Sequence, residues 1–136
     1  MAHIHREIVI NVPPDKAWAA LADVGALHTK LVPGFVVACV CDGQTRTVTF
    51  GNGLVARERI IAVDPDKKRV AWSAEAAHLT HYSASAQVVG IGANACRFVW
   101  LADLLPHEAA SAIAEMIEQG LAAMKRHLEA VGKTSP

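Results

Sequence analysis

Within the stretch LVARERIIAV, Glu58 is the side chain whose placement most suggests chemistry. Side chains alternate along a β-strand, so Arg57 and Arg59 fall on one face and Glu58 on the other, beside Ala56, Ile60 and Ala62. If that second face is the inner one, an ionised carboxylate costs on the order of several kcal/mol to bury unless it meets a partner, water or a ligand. A carboxyl in a low-dielectric pocket holds its proton to higher pH and can serve as acid or base near neutrality. The structural alternative is an ion pair with Arg46, which shares a strand face with Val48 and Phe50. Tyr82 has the same two readings: a donor to a ligand oxygen, or a core residue whose hydroxyl finds a backbone partner.

The remaining reactive residue types form no constellation. His78 and His81 flank Leu79-Thr80 at a loop-to-strand junction, too loose a spacing for a metal site, and solvent exposure is expected for them and for His3 and His5. His28, His107 and His127 have no convergent partner. Cys39, Cys41 and Cys96 are an odd number set in apolar, strand-like runs, which suits reduced thiols packed as small hydrophobes. No Ser, Thr or Cys has the setting of an activated nucleophile, GNGL is not a dinucleotide fingerprint, and there is no P-loop. No metal and no cofactor are expected.

The elements that must position Glu58 follow from the patterning. A chain of 136 residues has the size of one domain, expected over residues 1–132, with KTSP at 133–136 as a loose tail. It is 52% hydrophobic and 19% charged with net charge zero, which argues against nucleic acid as a partner. MAHIHREIVINV lacks the apolar core of a signal peptide, and no run approaches the roughly 20 apolar residues of a membrane helix. A cytoplasmic protein without membrane insertion is expected, with a homodimer left open.

HREIVINV alternates and reads as a first strand, ended by Pro13-Pro14-Asp15. DKAWAALADV has helical spacing, and a second short helix is expected over 26–31. From Phe35 the period is two: FVVACVC and TRTVTF make a hairpin, LVARERIIAV and RVAWSAE a second, and residues 79–89 and 95–103 a third. After Pro106, Ala110, Ile113, Ile117, Leu121, Met124, Leu128 and Val131 form one helical stripe. The expected fold class is α+β: a curved antiparallel sheet of about seven strands around a long C-terminal helix, with two short helices after the first strand.

Charged neighbours phase the strands. Arg69, Ser73 and Glu75 turn Trp72 inward, and Arg97 and Asp103 do the same for Trp100, which makes both tryptophans better pocket candidates than Trp18. The inner lining includes Ala56, Ala62, Ala74, Ala84, Ala86 and Ala102, facing a helix that carries Gly120. So many small residues mean either a closely approaching helix or an open cavity. Ala84 and Ala86 are expected at that cavity.

This order of elements, with PPDKAWAALADVGAL, then CDGQTRTVTFGNGLVARERIIAVD, a late Trp100 strand and a long terminal helix, resembles the START-like or SRPBCC superfamily. Within it the chain is most similar to the polyketide cyclase/dehydrase and lipid-transport group, and the resemblance implies a helix-grip sheet around an internal apolar pocket. FGNGLVARERI resembles the gate loop of the plant abscisic-acid receptors, and AHLTHYSA resembles their latch. That similarity implies that Gly53 and Leu54 sit at a pocket mouth, Glu58 points inward, and His78 and Leu79 lie on the facing loop above Tyr82. Val37 stands where those receptors place a lysine against their ligand's carboxylate, and Val55 replaces the gate proline. A hormone-receptor role is therefore not implied, and a carboxylate ligand is disfavoured.

Three functions remain open. The first is binding of an apolar small molecule, lipid-like, polyketide-like or aromatic, by a carrier or sensor whose pocket includes Glu58, Tyr82, Trp72, Trp100, Ala84, Leu54, His78, Arg46 and Val37. The second is a cyclase- or dehydrase-type enzyme in which Glu58 and Tyr82 move protons. The third is a groove for a partner protein. The scarcity of inward polar groups favours the first.

Overall fold

A computed structural model describes residues 2–134, with side chains through residue 132. Seven strands form one antiparallel sheet: β1 (Ala2–Ile10), β2 (Val36–Asp42), β3 (Thr45–Phe50), β4 (Val55–Asp64), β5 (Arg69–Glu75), β6 (His81–Gly92) and β7 (Ala95–Leu105). Their order is β1-β7-β6-β5-β4-β3-β2, a meander from β2 to β7 closed by the return of β1 beside β7. Between β1 and β2 lie helix α1 (Pro14–Ala22) and a π-helical turn, Leu27–Leu31. Pro at the start of α1 is favoured because the first helical N–H has no partner to lose.

After β7, a single 3-10 turn at His107–Ala109 leads into helix α2, Ala110–Thr134. Ile117, Leu121, Met124 and Leu128 are buried against the sheet, as their spacing predicts. The C-terminal half of α2 is also tied down by polar contacts. Lys125 Nζ donates to the Val9 carbonyl and to Glu129 at 2.7 Å each, and the Asn11 N–H donates to Glu129 at 2.9 Å. The α+β helix-grip fold expected from the sequence is the fold observed.

Three local expectations need correction. A bulge between Ile60 and Ala62 inverts the side-chain phase of β4, so Glu58 is buried and Ala62 is exposed instead of lining the inside. Val131 is half exposed where α2 runs towards its end, and Cys41 is exposed on edge strand β2 instead of packed. The backbone of α2 is helical through Thr134, and residues 135 and 136 of the expected tail lie outside the described residues.

The core centres on β1, β6 and β7, where Ile10, Cys96, Phe98 and Leu104 are fully buried. Leu104 pairs with Ala2 on one side and Tyr82 on the other. Leu104→Ala should cost about 2–5 kcal/mol in urea unfolding. A loss below about 1 kcal/mol would show that this end of the sheet collapses around the gap instead of holding its shape.

Candidate functional site

The sheet and α2 do not close completely on one another. Between them lies a cavity of about 270 Å³. The sheet contributes Val48, Ala56, Ala74, Ala86 and Phe98 to its wall, and α2 contributes Ile113, Met116, Ile117 and Met124. Leu21, Leu27, Leu31 and Val32 close one side from α1 and the π-helical turn. Two aromatic pairs meet edge to face there, Phe35 with Phe50 at 5.4 Å and Trp72 with Trp100 at 5.9 Å between ring centroids.

Arg46, Glu58 and Tyr82 are the cavity's buried ionisable side chains. Arg46 and Glu58 sit directly opposite one another in the β3–β4 register, which turns both to the same inner face. Arg46 Nε donates to Glu58 Oε1 at 2.8 Å, and Arg46 Nη1 donates to the Val24 carbonyl at 2.9 Å. The guanidinium also stands 5.5 Å from the centroid of the Trp72 ring, a cation–π contact. All of this holds Arg46 with 4% of its surface exposed and Glu58 with 7%. The pairing considered from sequence is thus present in the structure.

Burial pushes the Glu58 carboxyl above its ordinary value, and the opposite charge and hydrogen bond of Arg46 offset that only in part. Tyr82 is raised as well, first by burial and then by the nearby Glu58 charge, so its hydroxyl stays protonated at neutral pH. The Trp100 indole edge approaches that hydroxyl closely enough to lower it slightly, but without the geometry of a hydrogen bond. Trp72 Nε1 and Trp100 Nε1 are both buried with no hydrogen-bond partner among the described residues. An orphaned donor of this kind costs about 1–3 kcal/mol.

The mouth is formed by two loops that face each other, Gly53, Leu54 and Val55 on one and Ala76 to Leu79 on the other. Gly53 has φ +91°, a left-handed conformation that side-chain-bearing residues rarely adopt, and it turns the chain into β4. Leu54 and Val55 are exposed there despite being apolar. His78 is exposed at the rim.

The structure therefore brings together Glu58, Tyr82, Trp72, Trp100, Arg46, Leu54 and His78 around one space. Two candidates fall outside it. Val37 is 55% exposed, because a bulge between Val36 and Ala38 leaves Val36 pointing into the cavity and Val37 away from it. Ala84 is buried between Trp72 and Ala102 but does not border the cavity, whereas Ala86, one alternation further along β6, does. Phe35, Phe50 and the two methionines of α2 were not identified from sequence. Phe50 shares a strand face with Arg46 and Val48, so the phase of β3 already contained that signal.

The titration of Glu58 gives a test of this geometry. A carboxyl that holds its proton more tightly when folded adds stability fully below its unfolded value, ordinarily 4.5, and loses it as pH rises through the folded value. The stability of the wild type relative to Glu58→Gln should therefore fall as pH rises above about 4.5 in urea melts. A difference that rises with pH would mean that the Arg46 charge outweighs burial. Glu58→Gln and Arg46→Met should also be strongly non-additive, since either change alone disrupts the same buried pair.

Comparison with known proteins agrees with this architecture. An uncharacterised protein from Bacillus thuringiensis superimposes with a TM-score of 0.84 at 18% identity, over 93% of this chain and 98% of its own. The ZhuI aromatase/cyclase of a Streptomyces species gives 0.75 at 16% identity, over 97% and 93%. Norcoclaurine synthase of Thalictrum flavum, in complex with dopamine and hydroxybenzaldehyde, gives 0.73 at 21% identity, over 99% and 88%. No curated protein matches the sequence. The model of the family described as polyketide cyclase/dehydrase and lipid transport matches residues 1–129, nearly the whole chain, and the protein belongs to that family.

Proposed function

We propose that this protein binds a compact apolar small molecule, lipid-like, polyketide-like or aromatic, between the sheet and α2, as a carrier or sensor in the cytoplasm. The observation that carries this reading is a cavity of about 270 Å³ with an almost wholly apolar wall and one buried ion pair. Apolar walls that face an unfilled or water-filled space forgo packing contacts, at a cost in stability. An occupant removes that cost. Family membership supports the same reading, and three free thiols suit a reducing compartment.

Within the cavity, Glu58 is the proposed ligand contact. Its Oε1 is engaged by Arg46, and among the described residues Oε2 has no hydrogen-bond partner, so a ligand hydroxyl or amine can donate to it. The charge of Arg46 is already engaged by Glu58, so among the described residues lining the cavity no Lys or Arg is left for a ligand carboxylate. No helix among the described residues is long and apolar enough to cross a membrane, and no cluster of three or more His, Cys, Asp or Glu side chains there can hold a metal ion.

One observation favours a second reading, acid–base catalysis of the cyclase or dehydrase type. The raised Glu58 stands close enough to Tyr82 for its charge to raise the phenol further. In this reading Glu58 takes a proton from a carbon between two carbonyls, and the still-protonated Tyr82 donates to the developing enolate oxygen.

Titration with 1-naphthylamine, followed by its fluorescence, tests the binding site. Ala86→Phe should weaken the dye about tenfold or more with little change in stability, because the ring enters open space. Ala84→Phe should instead cost about 1–3 kcal/mol, because it overfills packed space beside Trp72. Equal effects of the two would show that the cavity is not where the dye binds. With 2-naphthol as the probe, a ligand contact predicts weaker binding to Glu58→Gln. Catalysis predicts unchanged binding and loss of turnover on an acyclic poly-β-ketone.

A further inference from the structure

Gly120 is buried in the interior of α2, a 25-residue helix. Glycine there costs about 1 kcal/mol relative to alanine, and a helical backbone does not require it. Its neighbours supply the reason. A Cβ at position 120 would stand 3.0 Å from Trp100 Cζ3 and 3.1 Å from Phe35 Cε2, closer than carbon atoms normally approach. Both are ring atoms of side chains that line the cavity. Each ring also meets a second aromatic edge to face, Trp72 for Trp100 and Phe50 for Phe35.

Gly120 itself does not border the cavity, so it acts from behind the wall. With no side chain at 120, the two rings seat directly against the backbone of α2, and the space they vacate belongs to the ligand. Any larger residue would displace them, and displacement comes out of the cavity's volume. The scale of that volume is informative: a dry cavity of about 150 Å³ holds one benzene ring. The 270 Å³ here is nearly twice that.

We propose that Gly120 is a specificity-determining residue, setting the cavity width at Trp100 and Phe35 so that it admits a neutral ligand of about two fused rings or equal bulk. This rests on the reading that the cavity binds a small molecule, and it adds the size class of the ligand and the residue that selects it. Gly120 is a positioning residue, since it acts through the rings and not by touching the ligand.

The test is selectivity across benzene, naphthalene and phenanthrene, with Kd measured by ligand-observed NMR or by probe fluorescence. The wild type should bind benzene and naphthalene. Gly120→Ala should weaken naphthalene about tenfold more than benzene, with a Tm no lower than that of the wild type, because alanine also favours the helix. Trp100→Phe, with Gly120 retained, should move selectivity the other way and bind phenanthrene about tenfold more tightly than the wild type does. An unchanged naphthalene-to-benzene ratio in a folded Gly120→Ala protein overturns the proposal. If that variant does not fold, the Trp100→Phe arm decides, and no gain for phenanthrene overturns it equally. A wild type that binds none of the three hydrocarbons overturns the cavity reading and this proposal with it, so the two failures are distinguishable.

Discussion

The ion pair between Arg46 and Glu58 is the constraint around which the rest of the site is arranged. Two charges placed opposite each other on an inner sheet face require each other, since removing either leaves the other buried and uncompensated. Their demands reach three elements. The register of β3 against β4 must hold for the side chains to meet, the segment after α1 must offer its Val24 carbonyl, and Trp72 of β5 must present its face to the guanidinium. A polar contact that would be unremarkable on the surface therefore joins the sheet to the helical segment that closes one side of the cavity.

The apolar part of the site arises from the opposite circumstance, a shortage of side-chain volume. Alanines at 56, 74 and 86 and the bare backbone at Gly120 leave sheet and helix in contact through a few large residues and apart elsewhere. Aromatic rings bridge the difference without filling it, since edge-to-face pairs hold their own spacing. Shape in this cavity is thus set by rings that brace each other, and its polarity by one pair of groups that neutralise each other.

Much of this was legible in the sequence. Strand phase could be read wherever charged residues alternate with apolar ones, as in RVAWSAE and ARERI, and those stretches placed Trp72 and Glu58 on the inner face. It failed where a bulge intervened. Ala62 lies just beyond an irregular pairing, and an extra residue there turns the following side chains over without any signature in composition; Val37, named only through the receptor resemblance, is itself the unpaired residue of the β2 bulge and faces out. Ala84 illustrates a different limit: alternation tells which face a side chain occupies, but not whether the space before it is filled by a neighbour such as Trp72. The ionic partner of Glu58 was legible as an alternative, because Arg46 and Glu58 share inward phase on adjacent strands. Whether such a pair forms depends on the β3–β4 register, which runs without irregularity from the turn at Gly51 to Gly53.

The contacts that fasten α2 are distributed unevenly along its length. Lys125 and Glu129 bind the end of β1 through its backbone, whereas Ile113 and Met116, on the cavity wall, are held by apolar packing against a space that is partly empty, with an exposed Arg6–Glu118 ion pair at 3.9 Å further along. Lifting the turns of the helix ahead of Ile117 therefore exposes little surface that was well packed, while lifting the remainder breaks core contacts at Ile117 and Leu121 and, beyond them, charge-assisted hydrogen bonds. Local opening of α2 therefore costs least ahead of Ile117, where the helix borders the cavity through Ile113 and Met116.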